Sequence, residues 1–243
     1  MRSSNVSFAI LLPPSEGKAS GGGDPIWHPN LGAYPLLEPQ RAAVVAALAQ
    51  QGGGDRKLLG IGGVNLAVAQ HANRSLHSTP TMPASLRYTG VVWDYLGLAT
   101  LKPSARRRAS ESIIVVSGLL GLASIDDPTP YYKLKMGSSL APIGKLSTWW
   151  RPTISAILNQ VLEDRYVIDL LPQEHRAAWS PSSTQRGVSV GFVERDGKIA
   201  GHDAKAAKGR LARHILTSTA QPKRSLSTWD DPRFDLRLQP IQR

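Results

Sequence analysis

Apolar positions along this chain follow two rhythms. Unbroken runs at Phe8–Leu12 and Tyr166–Leu171 predict strands buried on both faces. Ile113–Ser117 gives the clearest of these runs, four β-branched residues in a row broken by Gly118. Val188–Glu194 predicts one more strand, followed by an Asp196-Gly197 turn. Helical spacing marks Gln40–Gln51, Val64–Asn73, Ala105–Ser110 and Trp149–Leu162, with Pro152 expected in the first turn of the last, where its missing N–H costs little. Ala204, Ala207, Leu211 and Ile215 recur at spacings of three and four, so a further helix carries one narrow apolar stripe. Residues 221–243, rich in Pro, Arg and Asp, are expected to pack as an irregular tail. Strands alternating with helices predict a mixed α/β (α+β) fold, with residues 1–243 as a single domain of central sheet and flanking helices.

Charge changes this picture most. The chain of 243 residues has 29 Lys+Arg against 18 Asp+Glu, a formal net charge of +11. A surplus of that size favours polyanionic partners. It is densest in the helix that starts near His202, where Lys205 and Lys208 share one flank of the stripe and Arg210 and Arg213 another. No acidic residue lies between Lys205 and Arg213, so the face is either simply solvated or built for a polyanion. The absence of cysteine removes thiolate metal sites, iron–sulfur clusters, disulfides and cysteine nucleophiles, and fits a cytoplasmic protein. The six histidines show no paired-ligand spacing, so no metal or cofactor is expected. Phe8–Leu12 is too short for a membrane span and lacks a cleavage site, so neither a signal peptide nor a membrane partner is expected.

Candidate chemistry lies mostly in glycine-containing loops. Leu59-Gly60-Ile61-Gly62-Gly63-Val64 separates two helical stretches and reads as a helix-hairpin-helix within about residues 40–73, or as an ordinary glycine turn. Glycines let such a turn approach a phosphate, and N–H groups at the next helix start favour an anion. Ser15-Glu16-Gly17-Lys18 is not a P-loop, yet Glu16 and Lys18 sit just beyond a strand's carboxyl end, where α/β proteins place ligands. Ser117-Gly118 is only half of a nucleophile elbow, and Trp149-Trp150 reads as core more readily than as a base-stacking platform.

An ordered series of segments runs from Phe8 to about Leu238. It comprises Pro13-Pro14-Ser15-Glu16-Gly17-Lys18, Tyr88-Thr89-Gly90, Ser117-Gly118-Leu119-Leu120-Gly121, Tyr132-Lys133-Leu134-Lys135-Met136-Gly137, Trp150-Arg151-Pro152, Asp169-Leu170 and Lys205-Ala206-Ala207-Lys208-Gly209-Arg210. Together these resemble the YaaA peroxide-stress proteins of bacteria, in their actinobacterial branch. The resemblance implies one compact domain of unusual topology, a positively charged cleft, a helix-hairpin-helix at Leu59 to Ala67, binding to duplex and branched DNA, and protection from hydrogen peroxide. The chain departs from the family pattern at Leu120, usually aromatic, at Ser124-Ile125, usually Arg-Pro, and at His175, usually Tyr. The approach to the basic helix, His202-Asp203-Ala204-Lys205, also differs. These departures cluster in loops, where function concentrates.

Two readings follow. In the first, Lys18, Lys133, Lys135, Lys205, Lys208, Arg210 and Arg213 contact DNA phosphates, and the backbone of Gly60, Gly62 and Gly63 holds a further phosphate, without reading sequence. In the second, the same cleft turns over a nucleotide or other phosphorylated small molecule. There Glu16 is acid or base, Asp169 or Glu174 is a second carboxylate, and Lys18 and Lys205 hold the phosphate.

Overall fold

The structure, a computed structural model, describes residues 7–195 and 204–241. The Asp196-Gly197 turn, His202 and Asp203 therefore lie outside the described residues. The central sheet contains β1 (Phe8–Leu12), β2 (Ile113–Ser117), β3 (Gly121–Ser124), β4 (Tyr166–Asp169), β5 (Gly187–Glu194) and β6 (Phe234–Pro240). Their spatial order is β6-β5-β4-β1-β2-β3. The inner four strands run parallel, and β3 and β6 close the two edges antiparallel. This is the mixed α/β class expected. The unbroken apolar runs take the central places because helices cover both faces of a parallel sheet, and Ala9–Leu12 and Ile113–Val116 are buried throughout.

Around the sheet lie α1 (Glu38–Gln50), α2 (Arg56–Leu59), α3 (Val64–Arg74), α4 (Val91–Leu96), α5 (Leu146–Val161) and α6 (Ala204–Thr217). In α6 the stripe Ala204, Ala207, Leu211 and Ile215 is buried as its spacing required. It packs against α4 so closely that a Cβ on Gly209 would stand 2.4 Å from the Val92 carbonyl oxygen.

Two expectations are corrected. Helix α5 starts at Leu146, so Pro152 sits inside it and not in its first turn. An interior proline costs about 3 kcal/mol, but Leu146, Trp150, Ile154 and Leu158 recur every four residues and are all fully buried. Trp150 also donates from Nε1 to the Gly118 carbonyl at 2.9 Å, which makes it core, while Trp149 packs half-buried against that core. The tail 221–243 is not irregular: Pro222–Ser227 is helical and β6 pairs along all of β5. An edge strand tolerates the outward Asp235, Arg237 and Gln239 that made this segment look loop-like.

The sheet order also fixes where a ligand can sit. From β1 the chain first goes to β2 on one side, then returns through β4 on the other. The connections therefore diverge at the carboxyl ends of β1 and β4, and open a crevice there.

Candidate functional site

That crevice is a cleft of about 920 Å³. Its walls are the loop after β1 (Pro13–Gly17), the segment after β4 (Leu171–Arg176), the start of α4, and Lys205 and Lys208 of α6. Glu16 stands at one rim with Lys133 Nζ 3.2 Å from Oε2 and Lys135 Nζ 3.2 Å from Oε1. Partial burial raises its carboxyl, but the two ammonium groups outweigh that and hold it below its ordinary value. Such a group carries no proton to donate at neutral pH and is a weak base, so Glu16 is suited to fixing two lysines in place. Lys18 packs beneath the same loop, 4.1 Å from the Tyr132 ring centroid, and donates to the Ser15 carbonyl at 2.8 Å. Desolvation, reinforced by Lys133 and opposed by Glu16, pushes it down to about 7. Tyr132 in turn shares hydrogen bonds with Ser117 Oγ at 2.7 Å and Tyr88 OH at 3.1 Å, so Ser117 organises its own turn.

Asp169, the last residue of β4, is fully enclosed. It accepts from the Leu171 N–H at 2.8 Å and pairs with Arg176 Nε, which also donates from Nη2 to the Leu171 carbonyl. Burial raises its carboxyl, with Arg176 opposing. This carboxylate shapes the segment after β4 instead of facing the cleft. Lys208 donates to the Leu170 carbonyl at 2.9 Å, and desolvation, opposed by Asp169 and reinforced by Arg176, lowers it to about 8. Glu174 stays at the surface, and His175 beside it is 7% exposed with Nδ1 in no hydrogen bond, 3.6 Å from Glu174 Oε1. Burial and then Lys208 push His175 down to about 4, against the pull of Glu16.

The basic helix divides its cations. Lys205 is exposed at the cleft, with no hydrogen-bond or ion-pair partner among the described residues. Arg210 is committed to the buried Asp231, at 2.6–2.7 Å, and lies over the Tyr95 ring. Arg213 donates to the Leu96 and Gly97 carbonyls at the end of α4, at 3.0 and 2.8 Å. The charge that sequence alone left unneutralised is thus met from within the protein at these two positions.

On the other side of Glu16 the surface continues toward the glycine turn. The cleft adjoins a hollow of about 660 Å³ that shares Glu174 with it and is lined also by Lys57, Gly60 and Lys135. This adjoins a shallow basin of about 700 Å³ around Arg56, Lys57, Gly60 and Gly62. Gly60 caps α2 in the left-handed conformation, and Gly63, also at positive φ, precedes the first turn of α3. Lys135, paired with Glu16 and lining the hollow beside Gly60, therefore bridges the loop after β1 and the glycine turn. The sequence marks His175 only as a departure from the family pattern and gives no signal for Arg176. Only the topology places these two beside Glu16. Among the described residues no three His, Asp or Glu side chains cluster to hold a metal, and no helix is long and apolar enough to cross a membrane.

The chain's similarities agree in direction. Residues 8–239 match the family model described as peroxide stress protein YaaA. A UPF0246 protein of Streptomyces coelicolor is 37% identical over 223 residues, 88% of this chain and 85% of that protein. A UPF0246 protein of Corynebacterium glutamicum is 36% identical over 217 residues, 86% of this chain and 85% of its own length. An uncharacterised protein of Campylobacter jejuni is 27% identical over 167 residues, 69% and 65% of the two chains. With the match spanning every strand of the sheet and both rims of the cleft, the chain belongs to the YaaA peroxide stress protein family.

Proposed function

We propose that this protein acts in the peroxide stress response by binding DNA along the groove from the sheet's carboxyl ends to the glycine turn, without reading its sequence. Family membership supports the oxidative-stress role. The continuity of three hollows under cations from separate segments supports the polymer: Lys205, then Lys135, then Lys57 and Arg56. A small anion needs one such hollow, whereas a phosphate chain uses all three. The start of α3 adds backbone N–H groups that favour an anion. Charged contacts of this kind fix a duplex in place but carry no base information. A bubble or a four-way junction is expected to bind on the same footing.

Lys57→Ala combined with Lys205→Ala tests this reading. Both side chains are exposed, so the fold stands. Affinity for unrelated duplexes, a bubble and a four-way junction is expected to drop by a similar factor. The slope of log affinity against log salt is expected to flatten by about 2, one contact per lysine. An unchanged slope removes the groove as the binding path.

A further inference from the structure

Phosphate binding accounts for Lys205 but not for Lys208, one turn further along α6. Lys208 is half-buried in the cleft wall, with its Nζ held 2.9 Å from the Leu170 carbonyl at the carboxyl end of β4. The nearby carboxylate cannot claim it, because Asp169 already pairs with Arg176. The amine value of about 8 leaves roughly a tenth of Lys208 uncharged at pH 7. In the same wall His175 is 7% exposed and its Nδ1 has no hydrogen-bond partner. A buried polar nitrogen left unpaired is costly unless a ligand or reaction uses it. A nucleophilic amine, a neutral imidazole and an exposed cation at the mouth thus share one cleft at the fold's switch point.

We propose that Lys208 forms a Schiff base with an aldehyde borne on a phosphate-carrying sugar, with Lys205 holding the phosphate. The aldehyde is supplied either by a free sugar phosphate or by a base-less sugar within a DNA strand. The neutral Nζ attacks the carbonyl carbon, a C–N bond forms as the C=O π bond opens, and the first of nitrogen's two protons passes to the former carbonyl oxygen, which becomes a hydroxyl. The neutral His175 imidazole relays nitrogen's second proton to that hydroxyl without holding a charge, and the hydroxyl leaves as water, so the products are an imine and one water. No oxidant, reductant or metal enters the balance. The proposal rests on the cleft alone and stands whether or not duplex DNA runs along the groove.

Reductive trapping with cyanoborohydride tests it on the full chain. One arm uses ribose 5-phosphate and the other a 20-base-pair duplex with a single abasic site, with peptide mass mapping in both. The expected adduct is on Lys208, at least tenfold above Lys205 or Lys57 in at least one arm. The arm that labels identifies the source of the aldehyde. Lys208→Arg is expected to abolish the adduct, and His175→Gln to slow trapping and alter its pH profile. Labelling spread evenly over exposed lysines, unchanged labelling in Lys208→Arg, or none in either arm overturns the proposal. Should Lys208→Arg fail to fold, the wild-type map alone decides. Failure of the DNA-binding reading shows separately, as absent binding to intact duplex.

Discussion

Arg41→Leu is expected to lower the unfolding free energy by about 3–5 kcal/mol. Arg41 projects from α1 into the interior and is almost fully enclosed. Its guanidinium donates to four carbonyls: Leu120 and Leu122 at 2.8 and 2.9 Å, and Pro29 and Leu31 at 2.9 and 2.8 Å. One side chain thereby ties the loop before α1 to the hairpin between β2 and β3. Desolvation lowers it to about 10, with Asp127 opposing, so it stays charged at neutral pH. Leucine fills the space but leaves four buried carbonyls without donors. Arg41→Lys is expected to recover only part of the loss, because an ammonium lacks the planar fork that reaches four acceptors. Urea unfolding checks this; a loss below about 1 kcal/mol for Arg41→Leu contradicts it.

His175 should make the protein acid-sensitive. Its value falls from 6.5 to about 4 on folding, because burial and Lys208 disfavour the imidazolium while Glu16 only partly offsets them. Between those two values the unfolded chain takes up a proton that the native state refuses. The contribution is therefore fully present above about pH 6.5 and is lost as pH falls toward 4. It amounts to about 3 kcal/mol at the shift cited. Denaturant unfolding at pH 7.5, 6, 5 and 4.5 is expected to show that loss in the wild-type protein and a clearly flatter dependence in His175→Gln. Comparing the two proteins cancels the carboxylates that also titrate over this range. Parallel pH curves would show that His175 is not held neutral.

The parts of the fold that the sequence exposed are those set by local pattern. Four β-branched residues at Ile113–Val116 have no other good use than a buried strand, and the stripe of α6 leaves one face to bury. That Glu16 lines a crevice follows from its position just past the carboxyl end of β1. What stayed hidden depends on partners distant in sequence. Arg213 meets the carbonyls of Leu96 and Gly97, and Arg210 meets Asp231, and nothing in the helix itself distinguishes these from solvated cations. Asp169 resembled a second catalytic carboxylate until Arg176, seven residues later, was seen to turn back onto it. The edge strand β6 does alternate, from Phe234 and Asp235 through Leu238 and Gln239, but the Pro, Arg and Asp around it give the segment the composition of a loop.

Acylation footprinting of lysines, with and without a 40-base-pair duplex, tests the groove most directly. The account predicts joint protection of Lys57, Lys135 and Lys205, while Lys223, near Tyr166 at the opposite end of β4, stays equally reactive. Protection centred on Lys223, or none at all at low salt, would contradict it.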